Sequence, residues 1–225
     1  MNSMIKSALG AAAAIGAMSL SGTAMAQVNG IGIVDLPVAV AQSQAFQTGY
    51  QQIATQYQAQ RTTIEQRGQQ RQQLLQTFDA NSDGQIDQTE AAATQDPNNA
   101  TVRQIQAIDQ EIAQLQQPIN LARVYVVQQV AQQYSTALQQ VVSDRQLQFV
   151  MSPDALVYAN PAADITPLVV AQLNTRVPTA QITPPAGFQP GDNAVALFQQ
   201  VQQLLAIASL QQQQGAQQPA AGAGR

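Results

Sequence analysis

The chain has 225 residues, with 9 Lys and Arg against 13 Asp and Glu and a pI near 4.5. It contains no His, Cys or Trp, so catalysis by a Ser/His/Asp or Cys/His site and a disulfide framework are both excluded. An acidic chain without a basic patch also argues against nucleic acid as a partner. Charged residues are only 10% of the whole, while Gln is about one residue in five. Gln supports helices without contributing charge, so it can coat long helical surfaces that more commonly carry ion pairs.

Residues 1–26 carry Lys6, an apolar Ala- and Gly-rich run from Ala8 to Leu20, and the A-x-A site Ala24-Met25-Ala26. This pattern predicts a secretory signal peptide cleaved after Ala26, and hence a periplasmic protein. The apolar run is too short and too rich in Gly for a stable membrane anchor. Cleavage would remove the only Lys and leave eight Arg.

Ile31-Gly32-Ile33-Val34-Asp35, bounded by Gly30 and Pro37, reads as a short strand. From about Val38 the period changes. Phe46, Tyr50, Ile53, Tyr57, Ile64, Arg71, Leu74 and Phe78 fall on alternating steps of three and four, a heptad stripe on one long helix. Forty such residues would make a rod on the order of 60 Å.

The rod runs into Asp79-Ala-Asn-Ser-Asp-Gly-Gln-Ile-Asp-Gln-Thr-Glu90. An EF-hand calcium loop asks for oxygen ligands at positions 1, 3, 5, 7, 9 and 12 and for Gly at position 6. Asp79, Asn81 and Asp83 fill the first three positions, and Gly84 supplies the turn. Gln85 offers its carbonyl, Asp87 acts at position 9, and Glu90 closes the site with two carboxylate oxygens. Ile86 is the usual apolar residue at position 8. Such residues also suit plain turns, but a turn requires neither Ile86 nor Glu90. Only one loop is visible, so the expected calcium affinity is weak, about 10⁻⁴ to 10⁻³ M. The flank after Glu90 is poor: Ala91, Ala92 and Ala93 replace larger apolar residues, and Asp96-Pro97 ends the helix early.

Asn98-Asn99-Ala100-Thr101 starts a second long helix. Val102, Ile105, Ile108, Ile112, Leu115, Ile119, Ala122, Val126, Val130 and Ala137 repeat the same stepping, so the helix should return antiparallel to the first. Its face broadens through Val124, Tyr125, Val127, Val141 and Val142. Pro118 interrupts it and predicts a kink; with Gly68 at a comparable height it would form a joint, unless both are simply tolerated irregularities. Asp144-Arg145-Gln146 ends the helix. Leu147–Met151 and Ala155–Tyr158 then read as two strands joined by a turn at Ser152-Pro153-Asp154, followed by a short helix capped by Asp164 or Thr166 and running to about Asn174.

The expected fold is therefore α+β and mostly α. Residues 38–142 form an antiparallel coiled-coil hairpin with the loop 79–90 at its tip. Residues 27–37 and 143–176 form a small β body. In residues 177–225, Pro178, Pro184, Pro185 and Pro190 mark an extended linker. Asn193 to Leu210 forms an amphipathic helix that packs on the body or a partner subunit. From Gln211 the chain is a low-complexity tail expected to be disordered.

This order of elements, with Ile31–Asp35 at the start and Leu147–Met151, Val157-Tyr158 and Asp164-Ile165-Thr166 through Leu173 near the end, resembles the Skp/OmpH family of periplasmic chaperones. The resemblance implies a homotrimer whose hairpins surround a cavity for unfolded outer-membrane proteins, held without ATP. It implies no enzymatic activity and no stable membrane insertion. Well-known members are strongly basic, whereas this chain is acidic, and the calcium loop and the tail after Val177 fall outside the family's common pattern. The competing reading is a calcium-binding coiled-coil scaffold or buffer of the cell envelope that holds no client.

Overall fold

The computed structural model describes residues 30–217 apart from 82, 83 and 86. The expected signal peptide and its cleavage site, and the tail beyond Gln217, lie outside the described residues.

Strand β1 (Ile31–Ile33) follows Gly30, whose φ of 103° is a conformation that residues with a side chain rarely adopt. It pairs in parallel with β2 (Phe149–Met151), with Ile31 opposite Phe149 and Ile33 opposite Met151. On its other side β1 forms a single bridge from Ile33 to Asp164. Gly32 permits this close packing, because an added Cβ would stand 2.8 Å from a methyl of Leu147 and 3.0 Å from one of Ile165.

The expected third strand, Ala155–Tyr158, does not form. Pro153–Ala155 makes a 3-10 turn instead. Leu156 is extended and the chain then bends at Val157, with Val157 and Tyr158 at 108% and 83% exposure. A strand exists only against a neighbour; both sides of β1 are taken, by β2 and by the bridge to Asp164, and this stretch does not pair with the outer edge of β2.

The outgoing helix is likewise not one rod but three segments. Helix α1 (Leu36–Gln42) starts at Asp35, whose carboxylate accepts from Val38 N at 3.0 Å, and carries Pro37 in its first turn. It ends at Ser43, where ψ swings to 143°. The buried Ser43 hydroxyl accepts from Phe46 N and so caps the next helix, α2 (Gln44–Gln56). Asn174 accepts from Gln44 N at 2.8 Å and completes that cap. Side chains that satisfy helix ends favour a break here over continuation. The second interruption, at Tyr57, is slight. Tyr57 N still donates to Ile53 O and Arg61 N to Tyr57 O, each at 3.0 Å, so α3 (Gln58–Gln76) continues nearly the same path.

The return helix α5 (Ala100–Arg145) spans 46 residues, about 70 Å at 1.5 Å each. Asn99 caps its start by accepting from Thr101 N. Gln146, at φ 53°, closes its end in the left-handed conformation. Its paired contacts show that it runs opposite to α2 and α3. Gly49 faces Val126, Arg67 pairs with Glu111 at 2.9 Å, Arg71 pairs with Asp109 at 2.7 Å, and Phe78 packs with Val102 and Ile105. Pro118 sits inside α5 without ending it. Gly68 is level with Glu111 rather than with Pro118, which lies about two turns away. The two irregularities therefore do not form one joint.

The core is concentrated at the base of the hairpin. Val40, Phe46, Ile53, Val126, Val127 and Val130 join Val169 and Leu173 of α6 (Thr166–Arg176) in one apolar cluster. Among the described residues a small second cluster, Phe78, Val102 and Ile105, holds the tip, and α3 between the two buries no residue fully.

The final helix takes one of its two expected places, on its own body, and runs further than expected. The final helix, α7 (Asp192–Gln217), buries Ala194, Leu197 and Val201 against its own body, with Leu197 and Val201 in the main core. It also extends through Gln211–Gln217, where disorder is expected from composition. Gln and Ala sustain a helix well once its first turns are anchored.

Candidate functional site

At the hairpin tip, the predicted loop ends in a short helix, α4 (Gln88–Thr94). Asp87 and Glu90 cap it reciprocally: Asp87 Oδ1 accepts from Glu90 N at 2.9 Å, and Glu90 Oε2 accepts from Asp87 N at 3.1 Å. This capping box explains in part why Glu90 stands where it does. Its other oxygen, Oε1, reaches across the loop to accept from Ala80 N at 2.7 Å and Asn81 N at 3.3 Å. Glu90 is thereby nine-tenths buried.

At the opposite end of the loop, Asp79 Oδ2 accepts from Gly84 N at 2.8 Å, and Gly84 has φ 82°, a turn that glycine allows. The first and last expected ligands thus both fold inward over one turn of backbone. Asn81, Gln85 and Asp87 lie on that turn, and Asp83 and Ile86 lie outside the described residues. The donors are all oxygens, the chemistry that calcium requires. Among the described residues no group of three or more acidic side chains is gathered to hold a metal ion, and both oxygens of Glu90 accept from backbone amides. The helix after it is as short as Ala91–Ala93 and Asp96-Pro97 predict.

The base of the hairpin carries a second set of polar and aromatic contacts. Tyr50 stacks on Phe46 with ring centroids 3.9 Å apart, and the Arg123 guanidinium lies 5.9 Å above the Tyr50 ring. Burial pushes the Tyr50 phenol well above its ordinary range; the Arg123 charge and a hydrogen bond from Gln202 at 3.2 Å offset this only in part. Tyr134 is raised too, first by burial and then by the Asp35 carboxylate. Beside it, a hollow of about 900 Å³ is walled by Val34, Leu36, Leu138 and Val150 from the body and by Leu204 and Ile207 from α7.

The stretch read as a linker lies against the hairpin. Gln129 holds Gln181 by two hydrogen bonds, and Phe188 meets Tyr125 edge to face with centroids 4.8 Å apart. Tyr125 stands out in the sequence as part of the broadened face of the return helix. Gln129 does not, because nothing distinguishes it among so many other Gln.

The model of the family described as "Outer membrane protein (OmpH-like)" matches residues 30–173, which span both halves of the body and the whole hairpin. The chain belongs to the OmpH-like family. The match ends before Val177, so the docked tail lies beyond it. No curated protein matches the sequence. Among solved structures, an OmpH-like protein from Caulobacter crescentus CB15 shares 22% identity, covers 69% of this chain and 90% of its own, and superposes with a TM-score of 0.39, too loose a fit to carry an argument. No helix among the described residues is long and apolar enough to cross a membrane.

Proposed function

We propose that this protein is a periplasmic holdase chaperone that binds unfolded outer-membrane proteins and works as a homotrimer, with calcium bound at the hairpin tip. The observation that carries this reading is the OmpH-like match over residues 30–173, because it takes in the β body and the hairpin together rather than a generic helical stretch. The signal-peptide pattern of residues 1–26 supports export.

Trimer formation is supported by what one chain leaves unfinished. Two three-residue strands are too little for an independent sheet. Val157, Tyr158 and, at 64% exposure, Phe149 stand in solvent at the same end of the molecule. An extended segment and an available sheet edge on each copy are the two halves of a head-to-tail contact, which closes into a ring when the rotation allows.

Calcium at the tip is supported by the inward-folded Asp79 and Glu90. Bound there, the ion would neutralise the carboxylates of Asp79, Asp83, Asp87 and Glu90. Its effect would be to stiffen the turn between α3 and α5 and so set how the hairpin tips meet a client.

The test is light scattering of a urea-denatured outer-membrane β-barrel protein diluted into buffer with the mature chain, with calcium and with chelator. Suppressed aggregation in both arms supports the chaperone with calcium as a stabiliser, and suppression in one arm makes the loop a switch. Aggregation unaffected in both arms overturns the chaperone reading in favour of the calcium-binding envelope scaffold.

A further inference from the structure

The segment between α6 and α7 crosses the base of the hairpin between α2 and α5, and its contacts there are of an unusual kind. The side-chain amide of Gln129 donates to Gln181 O at 2.8 Å and accepts from Gln181 N at 2.9 Å. A primary amide offers one donor edge and one acceptor edge, so it pairs with the main chain of a single extended residue as a neighbouring strand would. This contact reads backbone and is indifferent to side chain.

Around that clasp lie two seats for side chains. On one side Ile182 covers a cleft of about 400 Å³ lined by Thr48, Gln51, Gln52 and Thr55 of α2. On the other, Phe188 presents its ring to Tyr125 at 66°, placed there by a turn in which Phe188 N donates to Pro185 O and Gly187 takes φ 75°.

A backbone clasp flanked by an aromatic platform and by a cleft of Thr and Gln, whose methyl and methylene carbons meet an apolar side chain, suits an extended chain that carries apolar and aromatic residues at intervals. Unfolded β-barrel proteins have that composition, since their strands alternate apolar residues and end in aromatic girdles. We infer that Tyr125 and Gln129, with the Thr48–Thr55 side of α2, form a binding site for extended aromatic-bearing polypeptide, and that residues 180–188 of the same chain occupy it as a tethered competitor. The inference rests on the chaperone reading and locates one client site within it.

The anchoring of the segment suits such a role. Leu173 before it and Leu197 and Val201 after it are in the core, so both ends stay fixed when the middle lifts away. Tethering raises the local concentration of the segment to about the millimolar range, enough for a weak ligand to remain seated until a better one arrives. Pro178, Pro184, Pro185 and Pro190 restrict the segment's backbone, which lowers the entropic cost of seating it.

The experiment uses the full-length mature chain and a fluorescently labelled, urea-denatured outer-membrane β-barrel protein. Hydrogen exchange is followed at the Gln181 amide, and client affinity is measured by anisotropy for the wild type and Phe188→Ala. Loss of Gln181 protection on client binding is expected. Phe188→Ala, which weakens the competitor and leaves the site intact, should bind client about fivefold more tightly, the worth of one aromatic pair. A synthetic peptide of residues 178–190 should bind the Phe188→Ala protein, and Tyr125→Ala added to it should abolish that binding. Client bound with Gln181 still protected and affinity unchanged by Phe188→Ala would overturn the inference while the chaperone reading stands. Failure of every variant to bind client would remove the chaperone reading, and this site with it.

Discussion

Gly49 of α2 lies directly against Val126 of α5: a Cβ placed on Gly49 would stand 3.1 Å from both Val126 methyl carbons. Val126 is fully buried and β-branched, so it has little freedom to turn aside. The glycine sets how closely the two legs approach at the hairpin's base. Gly68, farther along the same leg, has nothing within 4 Å of its added Cβ. The two helical glycines should therefore respond with opposite sign. Gly68→Ala is expected to stabilise the fold by about 0.5–1 kcal/mol through helix propensity alone. Gly49→Ala is expected to destabilise it by about 1 kcal/mol, since overpacking outweighs the same propensity gain. Urea unfolding curves of the two variants check both signs.

Alkaline titration should reveal Tyr50. Its folded pKa is raised above the ordinary 10.0, first by burial. The neutral phenol is thus favoured by folding, and its contribution is fully present below the unfolded pKa and is lost as pH climbs towards the folded one. Stability should fall between about pH 9 and 11 as the unfolded chain begins to release this proton. Tyr50→Phe should flatten part of that slope, and Tyr134, raised in the same direction, should retain the rest. An identical pH profile for Tyr50→Phe and wild type would contradict this account.

The tip separates two roles of one carboxylate. Glu90→Gln removes the charge and leaves one carbonyl oxygen where Glu90 has two, so either Ala80 N or Asp87 N loses its acceptor. It should destabilise the apo fold by about 1–3 kcal/mol and weaken calcium binding roughly tenfold or more. Calorimetric titration with calcium measures the second effect. A wild-type chain that gives no heat and no competition with a chelator has no calcium site. Hydrogen exchange from Leu74 to Val102 should slow on adding calcium if the ion stiffens the tip.

The proposed self-assembly depends on the segment that finds no strand partner in its own chain. Val157→Asp with Tyr158→Asp should leave helical circular dichroism unchanged, because both side chains are solvent-exposed. The same change should reduce the molar mass in light scattering from three chains to one, since a charge in the closed contact would be desolvated without a partner. A wild-type protein that runs as a monomer, or a doubly substituted one that stays trimeric, would refute the proposed interface.

The ion pairs midway along the hairpin should matter little. Arg67–Glu111 and Arg71–Asp109 are each about half exposed, so Glu111→Gln with Asp109→Asn should cost less than about 1 kcal/mol in moderate salt. Their weight lies in register, since each joins residues that face one another across the legs.

Much of the architecture follows from local pattern. The stepping of Phe46, Ile53 and Phe78 and of Val102, Ile105, Ala122, Val126, Val130 and Ala137 marks the residues the hairpin buries, because a 3.6-residue turn brings steps of three and four to one face. The αL close at Gln146 and the cap at Asn99 fall where polar turn residues interrupt that stepping. The order of Asp79, Gly84 and Glu90 likewise places their inward fold, since capping and turn chemistry act over a few residues.

Tertiary structure decided what depends on a distant partner. Ala155–Tyr158 has the composition of a strand, yet no edge in its own chain receives it. Ser43 breaks a helix that the heptad stripe would continue, because its hydroxyl and Asn174, 131 residues downstream, satisfy the new helix start. Composition makes the segment after Val177 a linker, whereas Gln129 and Tyr125 hold it against the hairpin. Hydrogen-bond partners and apolar faces from about fifty to more than a hundred residues apart leave no periodic trace in sequence, and only the folded chain brings them together.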